Sequence, residues 1–489
     1  MKITECILVI SLSVATSGVN GQTKAQKIDK LLSQYFSYGQ FNGTALVAEH
    51  DKVIFEKSYG SANLEWKIPN DADTKFKIGS VTKTFTDMLA FQQIEKGKLR
   101  LDGRISDYLP DYPKSQGEQI TIHQLMTHTS GLPDYEEFIA DYSQYYAHEK
   151  ILALFDSLPL EFTPGTKFKY TNSGAFLLGV ILEKITGKTY EQLLNENILH
   201  PLGLKNTGYD HNTLVLEKRA AGYMVFGPQP LQDQYTDFSI PFAVYGMYST
   251  CEDLYQWSKI LGTDKLISKK NMYEYLHPVL ENWACDWVLR KYPCGRKSDS
   301  ITMIIRGGSN GGFIAFVARN IDDKNSIVLL NNTGSSILEE IIDKITAILY
   351  DRPYQPPKQS LQVSFVKLIR ERGMERAIAE IKKLRQDTAK YYLRGSEFLK
   401  MGYTYRYWMN DLRSAIIVFE LIRDFYPGNF NRYGDNSALK DQFNIYSVLG
   451  DTYLAAGQNE KAVECFKKAL ELNPNDSGAI QALKKLETR

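Results

Sequence analysis

Apolar, strand-like runs occur near both ends of the first 350 residues of the chain, and helix-like segments fill the interval between them. The two early runs are joined at His50-Asp51-Lys52, which is typical of a hairpin. The strand-like runs are 43–49, 53–58, 301–305, 312–319 and 326–331, and the helical segments are 24–38, the segment after Ser80, 173–186, 252–261 and 337–350. This order predicts an α+β fold, in which early and late strands close one antiparallel sheet that is flanked by helices and carries an all-helical insert.

The chain changes character after Pro353, Pro356 and Pro357, which mark a linker over residues 353–360. Strand-like patterns almost disappear beyond it. Residues 443–476 have the spacing of a tetratricopeptide repeat, carried by Tyr446, Leu449, Gly450, Tyr453, Ala462, Phe466, Ala469 and Pro474. A single unit of this kind cannot bury its own apolar face, so about three helical repeats are predicted over residues 361–489.

Composition narrows the class of protein. A chain of 489 residues with 43% hydrophobic and 24% charged residues is typical of a soluble protein of two or three domains. The net charge of +1 gives no electrostatic case for binding nucleic acid or an anionic membrane.

The first 21 residues have the pattern of a signal peptide. Lys2 precedes an apolar stretch from Cys6 to Ala15 that is too short to span a bilayer, and small residues lead to Gln22. We therefore expect an exported protein, periplasmic or extracellular, with no transmembrane segment in the mature chain.

Cys285 and Cys294 bracket a short aromatic and basic loop. In an oxidising compartment they form either a local disulfide or two separate thiols, and the sequence leaves both alternatives open. Neither the cysteines nor the histidines have metal-ligand spacing, so no metal or cofactor is predicted.

Ser80 stands where a loop gives way to a helix, and Lys83 follows it three residues later. The offset places both side chains on one helix face, where an amine can remove the proton of a serine nucleophile. Such a lysine must be neutral, which requires a desolvated site. Val81, Phe85 and Met88 recur at helical spacing and predict that one face of this helix is buried. A Ser-x-x-Lys pattern is weak by itself, so partners have to support it.

Tyr170 and Asn172 form a Tyr-x-Asn motif just before the helix that begins near Ser173. The phenol of Tyr170 can share proton transfer with Lys83, and the amide of Asn172 can hold both Lys83 and a substrate carbonyl. The alternative is a buried tyrosine followed by a helix-capping asparagine.

Arg306-Gly307-Gly308-Ser309 follows one apolar strand and precedes another. Adjacent glycines let a ligand approach the strand backbone closely, so the N–H of Ser309 can act as an oxyanion donor opposite that of Ser80. Arg306 can hold a substrate carboxylate. The alternative is a glycine-rich hairpin turn.

Together, the three stretches resemble the serine β-lactamase and penicillin-binding-protein superfamily, in its class C-like branch of β-lactamases, D-alanyl-D-alanine carboxypeptidases, D-aminopeptidases and esterases. The resemblance covers about residues 25–350 and includes the phrases His128-Thr129-Ser130-Gly131-Leu132 and Tyr248-Ser249-Thr250. It places the hydrolase domain at residues 22–352.

The resemblance implies that Ser80 is the acylated nucleophile, that Lys83 and Tyr170 are general bases, and that the backbone amides of Ser80 and Ser309 form the oxyanion hole. The third motif usually begins with lysine or histidine, whereas here it begins with Arg306, which leaves the choice of substrate open. His128 is interpreted as structural, because no acidic partner is evident in the sequence.

Two hypotheses follow. In the first, the protein is an exported serine hydrolase that forms an acyl-enzyme on Ser80 with an ester, a D-amino-acid peptide or amide, or a β-lactam. In the second, the domain is a catalytically weak or inactive platform, and its C-terminal repeats bind a protein partner. The walls of the cleft, which choose the substrate, carry no readable motif.

Overall fold

A computed structural model describes residues 22–293, 300–334, 337–426, 430–431 and 442–487. Cys294, and with it the question of a disulfide to Cys285, lies outside the described residues, as does the predicted signal peptide. Within the described parts of the chain, no helix combines the length and the apolar character needed to cross a bilayer.

A seven-stranded antiparallel sheet, the main sheet, forms the frame of the first domain. Its early strand Gly43–Glu49 pairs with the late strand Asn325–Asn331, so that Ala45 lies opposite Leu329. From one edge to the other, its strands are Trp283–Ala284, Trp287–Pro293, Ser300–Asn310, Phe313–Asn320, Asn325–Asn331, Gly43–Glu49 and Lys52–Tyr59. The predicted α+β architecture, with a sheet closed by early and late segments, is confirmed.

The strand Trp287–Pro293 corrects one expectation, because the sequence analysis assigned the segment after Cys285 to a loop. The segment pairs with Ser300–Asn310, and Val288 lies opposite Ile305. Two consecutive basic residues, Arg290 and Lys291, interrupt the apolar run of this segment, so the sequence did not indicate a strand. Arg290 uses its charge in ion pairs with Glu339 and Asp343 on a neighbouring helix.

Helices cover both faces of the main sheet, because its strands carry apolar side chains on both sides. The first and last helices of the domain, Lys24–Ser37 and Leu338–Leu349, lie on one face and bury Leu31 and Ile341 against it. The helical insert packs on the other face through a larger core that includes Leu46 and Leu330. The Ser80 and Tyr170 motifs belong to this second side.

The helix Thr82–Glu95, here called the Ser80 helix, continues a short 3-10 turn, Gly79–Val81. The face predicted to be buried, with Val81, Phe85 and Met88, is buried, and the rest of the helix is buried as well, since every residue from Thr82 to Gln93 lies in the interior. Surrounding helices, including Ser173–Thr186 and Phe242–Tyr245, enclose it. A helix buried on all sides can hold Lys83 and other polar groups only where they find partners.

Further helices of the insert are short: Ile105–Tyr108, Lys114–Gly117, Ile122–Met126, His148–Leu152, Tyr190–Leu194, His200–Leu202, Cys251–Ser258 and Lys269–Tyr275, with a 3-10 turn at Tyr135–Phe138 and a π-helical turn at Asn195–Leu199. Short strands pair in small sheets: Ser61–Asn63 with Ile68–Pro69, Phe76–Lys77 and Gly208–Tyr209 with Met247–Ser249, and Tyr223–Met224 with Leu231–Gln232.

The C-terminal part, here called the helical domain, is built of helices that pack in consecutive pairs. The helices are Leu361–Arg372, Met374–Leu384, Gly395–Tyr403, Leu412–Phe425, Ile445–Ala455, Asn459–Leu472 and Ser477–Glu487, with a π-helical turn at Thr404–Trp408. Short two-residue strands also occur at Gln359–Ser360, Tyr391–Tyr392, Phe430–Asn431 and Gln442–Phe443. The buried apolar side chains form a core separate from that of the first domain.

One hairpin of the first domain, Tyr223–Met224 with Leu231–Gln232, reaches into the helical domain. Phe226, in the loop of this hairpin, is 3% exposed and belongs to the helical core. The side chain of Gln362 donates to the carbonyl of Phe226 at 3.0 Å. At the base of the same hairpin, the backbone of Tyr223 lies so close to Gly312 that a Cβ on that glycine would be 2.2 Å from the Tyr223 nitrogen.

Candidate active site

Ser80 lies on the 3-10 turn with two proton-bearing groups directed at its hydroxyl oxygen. The Nζ atom of Lys83 donates to Ser80 Oγ at 3.0 Å, and the hydroxyl of Tyr170 donates to the same oxygen at 2.9 Å. Lys83 is fully buried and also donates to the carbonyl of Val244 at 3.3 Å. The predicted meeting of a serine, a lysine and a distant tyrosine is therefore present in the structure. A hydroxyl held in this way can lose its proton to either neighbour.

The strand Ser300–Asn310 runs directly against the 3-10 turn, and glycines make this approach feasible. A Cβ on Gly308 would lie 2.0 Å from the Ile78 carbonyl oxygen and 2.8 Å from the Ser80 nitrogen. A Cβ on Gly79, which has a φ of +55°, would lie 2.4 Å from the Ser309 nitrogen. The backbone nitrogens of Ser80 and Ser309 are thus brought beside each other, as an oxyanion hole requires.

Arg306 is placed two residues before Gly308 and therefore on the same face of the strand. Its guanidinium is 2% exposed and has three protein partners: the carbonyl of Ser80 at 3.0 Å, the hydroxyl of Tyr170 at 2.9 Å and the carboxylate of Asp286 at 2.8 Å. The expectation that Arg306 holds a substrate carboxylate is therefore wrong. Its charge is compensated inside the protein, and it holds Tyr170 and the backbone of Ser80 through hydrogen bonds.

Asp286 is the buried anion of the site, and it is 1% exposed. Burial by itself would raise the pKa of this carboxyl, but the charge of Arg306 and the contact with His128 lower the pKa to about 2. Asp286 is thus ionised throughout the physiological range and holds Arg306 against Tyr170.

His128 has the acidic partner that the sequence analysis did not find. Its Nδ1 atom accepts from the backbone N–H of Thr171 at 3.4 Å, so Nε2 carries the proton and donates to Asp286 Oδ1 at 3.1 Å. Burial lowers the pKa of His128, which keeps the ring neutral. The ring also lies 4.4 Å from the ring of Tyr170, so it packs against the tyrosine that contacts Ser80.

Asp87 adds a second buried carboxyl, one helical turn after Lys83 on the Ser80 helix. Burial and the neighbouring charge of Asp286 raise its pKa well above the ordinary value, so Asp87 is a neutral acid facing an ionised one. Neither of its oxygens accepts a hydrogen bond from any group in the described residues. The site therefore keeps one carboxylate, that of Asp286, beside the guanidinium of Arg306.

A pocket of about 250 Å³ opens over Ser80. Its walls include Glu136, Tyr142, Tyr170, Asn172, Tyr245 and Ser309. Glu136 is the single charged side chain among its described lining residues. Lys83 and Arg306 lie beneath the floor of the pocket.

Asn172 stands in the wall of the pocket, with its backbone N–H donating to Asp134 at 3.0 Å. It does not hold Lys83 as expected, because Lys83 donates to Val244 instead. The side-chain oxygen of Asn172 is buried and accepts no hydrogen bond from any group in the described residues.

Three site residues escaped the sequence analysis: Asp87, Glu136 and Asp286. Asp87 and Asp286 each interrupt an apolar run, and an isolated charge in a buried segment was the signal available. Glu136 follows the His128-to-Leu132 phrase and has no pattern of its own. Among the described residues, no group of three or more histidine, cysteine or acidic side chains is arranged to hold a metal ion.

Comparisons with known proteins agree with this geometry. The sequence model of the Beta-lactamase family matches residues 28–350, and that of the tetratricopeptide repeat matches residues 443–476. Penicillin-binding protein 4* of Bacillus subtilis (strain 168) is 27% identical over 363 residues, which are 69% of this chain and 79% of that protein. Protein flp of Staphylococcus aureus (strain MW2) is 27% identical over 342 residues, which are 67% of each chain.

The solved structure of a penicillin binding protein from Bacillus halodurans superimposes with a TM-score of 0.57 and 28% sequence identity. The match covers 65% of this chain and 99% of that one. The family match spans about two thirds of the chain and includes Ser80, Lys83, Tyr170 and the strand with Arg306. The chain therefore belongs to the beta-lactamase family of serine hydrolases.

Proposed function

We propose that the protein forms an acyl-enzyme on Ser80 and hydrolyses a small ester, an amide or peptide of a D-amino acid, or a β-lactam. The observation that carries the proposal is the contact of Ser80 Oγ with both Lys83 and Tyr170, at 3.0 and 2.9 Å, on the floor of a pocket. Penicillin-binding relatives make a β-lactam carbonyl one of the three candidate acyl donors.

In the first half of the reaction, Ser80 Oγ attacks the substrate carbonyl while its proton passes to Lys83 or Tyr170. The carbonyl oxygen becomes an oxyanion, for which the backbone N–H groups of Ser80 and Ser309 are the donors. When the tetrahedral intermediate collapses, the bond to the leaving group breaks, and the leaving nitrogen or oxygen takes the proton.

In the second half, a water molecule attacks the acyl carbon, and its proton returns through the same groups to Ser80 Oγ. The products are a carboxylic acid and the free serine. Arg306 keeps Tyr170 within reach throughout, because its guanidinium donates to the phenol oxygen at 2.9 Å. Arg306 is assigned no proton transfer, since a guanidinium does not lose its proton in proteins.

The direct test is mass spectrometry of the protein after exposure to p-nitrophenyl acetate and, separately, to a reactive penicillin. An adduct on Ser80 that is absent from Ser80→Ala supports the proposal, and steady-state hydrolysis of nitrocefin separates β-lactam turnover from mere acylation. If neither reagent labels the wild-type protein, the hydrolase proposal is rejected, and the hypothesis of an inactive platform remains.

We further propose that the chain is exported and that its helical domain binds a protein partner. The first 21 residues support export, and the tetratricopeptide match over 443–476 supports a protein-binding surface. If Ser80→Ala loses hydrolysis but retains the partner, the two functions are separate.

A further inference from the structure

The pocket over Ser80 has an acidic wall, and this bears on what enters it. Glu136 lies in the 3-10 turn Tyr135–Phe138, and its side chain lines the same pocket as the nucleophile. The carboxylate of Asp134, at the start of the turn, accepts hydrogen bonds from the backbone N–H groups of Glu136 at 3.1 Å and Asn172 at 3.0 Å. Glu136 makes no ion pair with any cation in the described residues. The side chains of Tyr245 and Asn172 hydrogen-bond its carboxylate but bring no charge, so no adjacent cation of the described residues compensates its negative charge.

The basic side chains of the site are not available to a ligand. Lys83 donates to Ser80 and Val244, and Arg306 is neutralised by Asp286 at 2.8 Å. A substrate carboxylate that entered the pocket would meet Glu136 with no opposite charge to offset the repulsion. A substrate ammonium would meet the Glu136 carboxylate, which no cation of the described residues neutralises.

We propose that Glu136 binds a protonated amine of the substrate, so that the enzyme prefers small amides or esters of amino acids whose free ammonium lies close to the scissile carbonyl. This inference rests on the proposed function, because it names the substrate class of the Ser80 site. It disfavours substrates that are recognised through a free carboxylate, including the terminal carboxylate of a peptide.

The titration of Glu136 gives the inference a signature. Burial, followed by the charge of Asp134, raises the pKa of Glu136 to about 7, while Tyr245, Lys83 and Asn172 act in the opposite direction. The titratable groups that face it are Asp134, Tyr135, Tyr142, Tyr245 and Lys83. Below about pH 7, Glu136 becomes protonated and the attraction to an ammonium is lost. Above about pH 8, the α-amine of an amino-acid amide loses its own proton.

The test measures inhibition of p-nitrophenyl acetate hydrolysis by alanine amide and by N-acetylalanine amide, each as both enantiomers, from pH 5.5 to 9. We expect alanine amide to inhibit best between about pH 7 and 8, and at least tenfold more strongly than the acetylated compound, which should show no such pH optimum. Glu136→Gln should reduce this preference by roughly 10- to 100-fold, since hydrogen bonds between charged groups contribute about 1.5–3 kcal/mol.

Glu137→Gln is the matched control, because Glu137 is the next residue of the same turn and is exposed. It should leave the preference unchanged. Equal inhibition by the two amides, or a preference that survives in Glu136→Gln, would overturn the inference while acylation of Ser80 by p-nitrophenyl acetate kept the proposed function intact. If p-nitrophenyl acetate does not acylate Ser80 at all, the proposed function fails, and this inference fails with it.

Discussion

Replacing Asp286 by asparagine tests the buried ion pair of Asp286 and Arg306 next to Tyr170, the proposed catalytic tyrosine. At an effective dielectric constant of about 20, two unit charges separated by the observed 2.8 Å attract each other by about 6 kcal/mol. Burial of the carboxylate offsets part of this attraction. The pKa of about 2, against an ordinary value near 4, corresponds to a net gain of roughly 2–3 kcal/mol for the charged form. We expect Asp286→Asn to lower the free energy of unfolding by about that amount at pH 7.

The dependence on pH follows from the direction of the shift. A carboxyl with a lowered pKa in the folded protein stabilises it above the pKa of the unfolded chain, about 4, and loses this contribution as the pH falls through about 2. The difference in stability between wild type and Asp286→Asn should therefore be constant from pH 5 to 7 and shrink below pH 4. Urea denaturation at several pH values measures it.

Catalysis should suffer as well, because the unpaired Arg306 no longer holds the phenol of Tyr170 in place. We expect acylation of Ser80 by p-nitrophenyl acetate to slow by about 100-fold, the effect of a displacement of about 1 Å in a catalytic group. The burst of p-nitrophenol in a stopped-flow experiment reports this rate.

Asp210→Asn is the control for this experiment. Asp210 is also 1% exposed and pairs with an arginine, Arg219, at 2.6 Å, but that pair contacts none of the proposed catalytic residues. Its substitution should preserve the acylation rate. Wild-type acylation in Asp286→Asn would refute the argument that the ion pair positions Tyr170.

Two further predictions concern the backbone and the second buried acid. Gly308→Ala should slow acylation at least tenfold and destabilise the protein by about 1–3 kcal/mol, because its Cβ would press on the Ser80 turn; Gly307→Ala, whose Cβ would meet only the movable ring of Phe316, should cost less in both assays. Asp87→Asn should remove a pH dependence: the folded protein keeps the proton of Asp87, mainly because of burial, whereas the unfolded chain releases it above about pH 4. Thermal unfolding should therefore show Asp87→Asn gaining stability over wild type as the pH rises from 4 to 7, and a constant difference would contradict the assignment of a neutral acid.

The sequence predicted the candidate site best where a short local motif is typical of one kind of chemistry. Ser80, Lys83 and Tyr170 were predicted to meet because their motifs are local and the chemistry needs all three, and the structure brings their reactive atoms within 3.0 Å. The strands at both ends of the domain were predictable from their β-branched runs. The helical repeats were predictable from the spacing of Tyr446 to Pro474.

The role of Arg306 was not predictable, because its partner Asp286 lies in the turn just before a different strand, Trp287–Pro293. Asp286 is 20 residues earlier in the sequence, and only the pairing of Trp287–Pro293 with Ser300–Asn310 brings the two together. The same reasoning applies to Asp87, whose neutral state depends on burial that an amphipathic reading of the Ser80 helix did not anticipate. Long-range partners decide the protonation state of a buried group, and single-sequence patterns do not contain them.

The hairpin that carries Phe226 makes the two halves of the molecule mechanically continuous. Its loop is held among the C-terminal helices, while its base backs Gly312, the neighbour of the pocket residue Gly311. A ligand that shifts the C-terminal helices would therefore move this hairpin, and with it the wall of the pocket over Ser80. A protein truncated at the linker prolines would lack the helices that cover Phe226, and this apolar ring would then be exposed close to the pocket wall.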